Sequence, residues 1–208
     1  MGLRDTTLKP EQFYHVYNWG INHCEIFRTD ENKWFFLSKL KIYLTPVCDI
    51  YAYCLMPDHF HLIIKVKPSD KIANFISKGN NIKNQNGLHS IDKIVSKQFA
   101  KLLSSYTQAF NKAEKRHGAL LESPFRRSNI GSKVQLINLI VAIHKNPVGI
   151  KDNFEYFTYS SYRDIFSHYP GIVDSSLVID VFGNMRNFVA AHQLPGKVIL
   201  NIFDFVKV

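Results

Sequence analysis

The chain has 208 residues, 46% hydrophobic and 21% charged, the balance of a globular protein that buries its own core rather than a disordered or fibrous one. Its net charge of +9 and pI near 9.4 give a positive field suited to phosphate backbones, although such a charge also serves plain solubility, and apolar stretches of only a few residues exclude a membrane span. Three cysteines, Cys24, Cys48 and Cys54, without Cys-x-x-Cys spacing, and an N-terminus without an apolar signal core predict a reduced, cytoplasmic setting.

In chain order, Phe13 to Trp19 is rich in aromatic and β-branched residues and predicts a first strand, closed by turn signals at Asn18, Gly20 and Asn22. Thr29-Asp30 is a helix start, and Trp34, Phe35, Leu37, Leu40 and Leu44 recur at helical spacing behind it. Val47 to Met56 and Phe60 to Val66 frame a Pro57-Asp58 turn and read as a hairpin. Asp70 to Lys78 predicts a short helix, and Gly79 to Ser90, dense in Asn, Gly and Lys, an exposed loop. Asp92 to Arg116 predicts a long helix with Ile94, Phe99, Leu102, Leu103, Tyr106 and Phe110 on its apolar face and lysines on the other. Pro124 to Ile130 reads as a short strand, and Lys133 to Lys145 as a helix stopped by Asn146-Pro147. Beyond Lys151 come an aromatic segment, Phe154 to Tyr162, and short helical stretches near Leu177–Phe182 and Arg186–His192. This order suits an α+β fold with helices packed on an antiparallel sheet.

The hairpin carries Met56-Pro57-Asp58-His59-Phe60-His61. Side chains alternate along a strand, so His59 and His61 share a face and can present two imidazoles to one divalent ion. By itself a His-x-His pair is more often two packed or surface histidines than a metal site.

Several segments together resemble the single-tyrosine HUH transposases, in particular the REP-associated tyrosine transposases. They are Tyr14-His15-Val16, the stretch Cys54 to Ile63, Ser105 to Lys112, His117 to Leu120, Pro124 to Arg127, Ile143-His144-Lys145-Asn146-Pro147-Val148, and Tyr159 to Tyr162. The resemblance implies a ferredoxin-like core over residues 1–165 with a helical extension, 166–208, packed on it. It implies a divalent metal, Mg or Mn, held by His59, His61 and Asn146, and single-stranded or hairpin DNA as partner of a monomer or homodimer. It further implies a tyrosine that attacks the scissile phosphate and forms a 5′-phosphotyrosine link.

In that pattern the nucleophile stands four residues before the Asn of Asn-Pro, one helical turn away on the same face. Here that position is Ala142. The alternatives are an engineered loss, a degenerate or domesticated relative that only binds or regulates DNA, and takeover by another tyrosine such as Tyr106 or Tyr162, both of which read more naturally as packing residues. A metal-bound water acting in place of tyrosine is a more distant reading. For DNA contact the sequence offers Arg126, Arg127, Lys78, Lys83 and His144, with Lys97 and Lys101 as further lysines on a solvated face.

Overall fold

The structure, a computed structural model, describes residues 7–79, 91–149, 153–167 and 171–194. Four strands, β1 (Phe13–Trp19), β2 (Cys48–Leu55), β3 (His59–Val66) and β4 (Arg126–Ile130), form one sheet in the order β2-β3-β1-β4. All three pairings are antiparallel. Helix α1 (Asp30–Tyr43) connects β1 to β2; α2 (Ser69–Gly79) and α3 (Ile91–Ala113) lie between β3 and β4. After β4 come α4 (Lys133–Lys145), α5 (Ser175–Phe182) and α6 (Met185–Gln193). This is the ferredoxin-like α+β arrangement that the sequence predicts, with the histidine strand β3 second from the edge.

Local chemistry explains the element ends. Thr29 caps α1 by accepting from the Asn32 amide at 3.3 Å, and the Asn32 side chain returns a bond to the Thr29 amide at 3.2 Å. The long helix α3 ends at Ala113 rather than Arg116, where Lys115 turns left-handed at φ 50°. Pro124 has no N–H to give to a ladder, and β4 begins two residues later than the pattern suggests. The extension helices start at Ser175 and Met185 because Asp174 and Asn184 cap them. The polar loop expected at 79–90 lies, beyond Gly79, outside the described residues.

The alternating side chains of β3 divide the core. Phe60, Leu62 and Ile64 face α1 and α3, where the Phe36 ring lies 4.9 Å from Phe60 and 5.2 Å from Tyr106. Tyr106 is buried with its hydroxyl donated to the Ile26 carbonyl, which makes it a packing residue. The opposite face carries His59 and His61 and is covered in part by α4.

The outer edge of β2 is closed by the chain itself. Leu55 N–H donates to the Tyr159 carbonyl at 2.9 Å and Ser161 N–H to the Tyr53 carbonyl at 3.0 Å. A buried polar network then fixes the C-terminal part. His144 Nδ1 and His192 Nε2 share a hydrogen bond at 2.9 Å, and His144 Nε2 meets Ser161 Oγ at 2.8 Å. Ser161 Oγ accepts from the Tyr53 amide at 2.9 Å, and the Tyr53 hydroxyl donates to Asp164 at 2.9 Å.

Burial pushes the His192 pKa down from 6.5 to about 4, against a small opposing effect of its bond to the Phe188 carbonyl. Burial likewise holds His144 neutral. Both imidazoles are uncharged in the fold, so the unfolded chain takes up protons first as the pH falls below about 6.5. Stability is therefore full above pH 6.5 and declines between 6.5 and about 4, by about 3 kcal/mol through His192 alone. Urea denaturation across this range, compared with His192→Leu, checks it: the variant should lose less over the same window.

Candidate metal and nucleic-acid site

The site begins at the β2–β3 turn. Ile26 and Phe27 both donate backbone N–H groups to the Pro57 carbonyl, at 2.7 and 2.9 Å, and Gly20 N–H donates to the Asp58 carbonyl at 2.8 Å. Gly20 has no room for a side chain: a Cβ would lie 2.1 Å from the Cys24 carbonyl. The segment after β1 thus clamps the turn and fixes where Asp58 and His59 point.

Each site histidine is held through its Nδ1. His59 Nδ1–H donates to the Asp58 carboxylate at 2.6 Å. His61 Nδ1 shares a 2.9 Å hydrogen bond with His15 Nε2 from the neighbouring strand. When His61 is the donor, its Nε2 carries the lone pair. Burial, helped by the nearby His15 and His59, holds the His61 pKa well below 6.5, and burial lowers that of His15 to about 3. Both are neutral, the state in which imidazole acts as a ligand.

Asn146 arrives from the far end of α4. Its Nδ2 donates to His59 Nε2 at 3.2 Å, and its side chain also hydrogen-bonds the buried Cys54 thiol. The structure therefore brings together His59, His61 and Asn146, although 85 residues separate Asn146 from His61 in sequence. Among the described residues no group of three His, Cys, Asp or Glu side chains could hold a metal, and the side chain that meets His59 from α4 is the Asn146 carboxamide. Ala142 lies one turn before Asn146 and is buried. No tyrosine stands at that turn.

The remaining site residues are placed differently from one another. Arg126 faces the histidine side: its guanidinium lies 4.8 Å over the Trp19 ring and pairs with Glu122 at 3.1 Å. Arg127 projects from the other face of β4, 5.0 Å over Phe125. Lys78 lies on α2 with its side chain outside the described residues, as is all of Lys83. His144 corrects the expectation of a DNA contact: it is fully buried between His192 and Ser161, because the C-terminal segment covers that side of α4. Tyr162 is buried as well, its ring 5.6 Å from Phe188 and 5.7 Å from His144.

Sequence reasoning missed Tyr17, Trp19, His15 and Asp58. Tyr17 pairs with His61 and Trp19 with His59 across the β1–β3 ladder. Tyr17 stacks on His15 at 4.6 Å and stands 5.8 Å from His61. Its hydroxyl is buried without a hydrogen-bond partner, and burial raises its pKa while Arg126 pulls it down. The alternation His15, Tyr17, Trp19 was visible in the sequence, but only the register of β1 on β3 brings it to the histidines.

A four-stranded sheet of this order, with paired histidines on an inner strand and an asparagine closing on them from a helix end, defines a ferredoxin-like HUH-type domain. The family model described as "Transposase IS200 like" matches residues 13–114, from β1 to the end of α3, so this part of the chain is similar to that family. Ala142 and Asn146 lie beyond the matched residues. A solved structure titled as a REP-associated tyrosine transposase bound to a REP hairpin aligns with a TM-score of 0.56 at 14% identity, over 82% of this chain and 89% of its own. A bacterial tRNA(His) guanylyltransferase (Thg1)-like protein in complex with ATP aligns at a TM-score of only 0.36 and 10% identity, over 88% of this chain and 75% of its own. No curated protein sequence matches the chain.

Tyr17 yields a direct test of its orphaned hydroxyl. Tyr17→Phe removes a buried donor without a partner and keeps the ring, so stability should rise by about 1 kcal/mol in urea denaturation. A loss of stability would mean that the hydroxyl has a partner in solution.

Proposed function

We propose that this transposase-like chain recognises single-stranded hairpin DNA at the His59–His61–Asn146 site, and that its strand-cleaving nucleophile is missing at Ala142. The single observation that carries the reading is the closure of Asn146 on His59 at 3.2 Å with an alanine one turn earlier. An alanine methyl cannot attack phosphorus.

The residues fit a divalent ion such as Mg or Mn. His59, His61 and Asn146 would hold it, and when bound it would polarise a phosphoryl oxygen. Asp58 keeps His59 in the Nδ1–H tautomer and leaves its Nε2 lone pair for a ligand, the arrangement recurrent around metal-bound histidines. His15 does the same for His61 from the next strand. Arg126, parked on Trp19 beside the histidines, supplies a cation for an approaching phosphate. Trp19 offers an aromatic face on which an unpaired base can stack.

A second reading, a domesticated protein that binds or regulates DNA without cutting it, is favoured by the same alanine. Ala142→Tyr separates the two. The parent and the variant are incubated with labelled hairpin DNA and Mn or Mg, and a denaturing gel is read for a covalent protein–DNA band. A band only in the variant identifies position 142 as the vacant nucleophile position. A band in the parent transfers the role to another tyrosine, and a folded variant that binds DNA without a band supports the binding protein.

The histidine supports generate a further prediction. Asp58→Asn should weaken Mn binding about 10–100-fold in isothermal titration calorimetry with the fold intact. Unchanged affinity would remove Asp58 from the support of the site.

A further inference from the structure

We propose that the buried hydroxyl of Tyr17, on the sheet between His61 and Arg126, donates a hydrogen bond to a phosphate of the DNA strand held at the His59–His61–Asn146 site. This rests on the DNA-binding reading given above and adds to it an uncharged phosphate contact.

Among the described residues four buried side-chain atoms have no hydrogen-bond partner: Tyr17 Oη, Asn18 Oδ1, Asn111 Oδ1 and Arg116 Nη1. In the last three, another atom of the same group is bonded. Asn18 Nδ2 donates to the Glu122 carbonyl at 2.9 Å, Asn111 Nδ2 to the Gly118 carbonyl at 2.8 Å and Arg116 Nη2 to the Ala119 carbonyl at 3.0 Å. Tyr17 is 1% exposed and has a single polar side-chain atom, which is the orphaned one. A donor buried in this way weakens the fold, and native interiors keep few of them. The packing of the ring does not call for it. The ring stacks on His15 at 4.6 Å and meets Trp19 edge-on at 5.1 Å, contacts that a phenylalanine would make as well.

The register of the sheet points to what the hydroxyl serves. Tyr17 is the direct partner of His61 on one side and of Arg126 on the other, so the three form a row on one face across β3, β1 and β4. Strands about 4.8 Å apart put roughly 10 Å between the backbones at the two ends of the row, with Tyr17 midway. One end is a candidate metal ligand and the other a guanidinium, and a phosphate that meets both crosses the phenol. Burial raises the pKa of that phenol against the pull of Arg126, so it presents an O–H to a phosphoryl oxygen. Arg126 is already engaged, with Glu122 at 3.1 Å and with the Trp19 ring at 4.8 Å. A guanidinium carries five N–H donors, and one carboxylate does not exhaust them. Trp19 and Arg126 are both partly exposed, and a phosphate that draws Arg126 toward itself opens the way to the hydroxyl beside it.

The test compares the parent with Tyr17→Phe, and with Tyr156→Phe as a control at an exposed tyrosine. Fluorescence anisotropy in Mn follows binding of a panel of labelled DNA hairpins with single-stranded flanks across a salt titration. Calorimetry follows Mn alone, and urea denaturation follows stability. In Tyr17→Phe the affinity for DNA should fall about tenfold, the loss of one hydrogen bond to a charged group. The slope of log K against log salt should stay that of the parent, because the group removed carries no charge. Mn affinity should be unchanged and stability no lower than that of the parent, and the control should bind DNA as the parent does.

Equal DNA affinity for parent and Tyr17→Phe would overturn the contact while leaving the DNA-binding reading intact. Weaker DNA binding accompanied by lower stability or by weaker Mn binding would also overturn it, because the hydroxyl would then serve the fold or the ion. A reduced salt slope would do the same, since the loss would then come through Arg126. Parent protein that binds none of the hairpins even at low salt would remove the functional reading and the contact with it.

Discussion

The antiparallel pairing of β1 with β3 is the constraint on which the rest of the molecule depends. Its register sets Trp19 opposite His59, Tyr17 opposite His61 and His15 opposite Ile63. A slip of one residue would turn His15, Tyr17 and Trp19 toward α1 and α3 and drive the aromatic core outward. The register is held because Phe60, Leu62 and Ile64 are wholly buried on the helix side, leaving the polar residues of the same strand only one face to occupy. A hydrophobic requirement on one side of the sheet therefore positions the chemistry on the other.

Much of this architecture is written in the order and periodicity of the chain. Strand β1, helices α1 and α4 and the Pro57-Asp58 hairpin follow from local spacing and capping residues that act within a few positions of themselves. The partnership of Asn146 with His59 is different in kind. It depends on α4 lying across β2 and β3, and nothing in the immediate neighbourhood of Asn146 distinguishes a ligand from a helix stop before Pro147; only resemblance to the transposases pointed there. His144 shows the converse. On its own helix it reads as a basic residue near an exposed end, and its burial is decided by Ser161 and His192, which reach it from distant parts of the chain.

Two pairs of imidazoles, His15 with His61 and His144 with His192, are each joined at 2.9 Å and buried. In both, burial disfavours the charged ring, so a proton is shared along a neutral hydrogen bond rather than held as a cation. The first pair supports a candidate ligand and the second supports the helix that delivers Asn146. Replacing either partner by an apolar residue would leave the other imidazole nitrogen without its bond in a dry interior, which is why such pairs tolerate change poorly.

The outer edge of β2 is sealed by residues 159–161, and α4 is tied to α6 through His144, His192 and a bond from Lys145 to the Leu194 carbonyl at 2.7 Å. The order of synthesis gives this arrangement a meaning of its own. His59 and His61 leave the ribosome early, Asn146 follows much later, and the groups that seat its helix come later still. A growing chain can build the sheet and its aromatic core while the two histidines wait, and the complete constellation closes only when nearly the last of the described residues has been made. Completion of the His59–His61–Asn146 cluster is thus coupled to the docking of the C-terminal helices on α4.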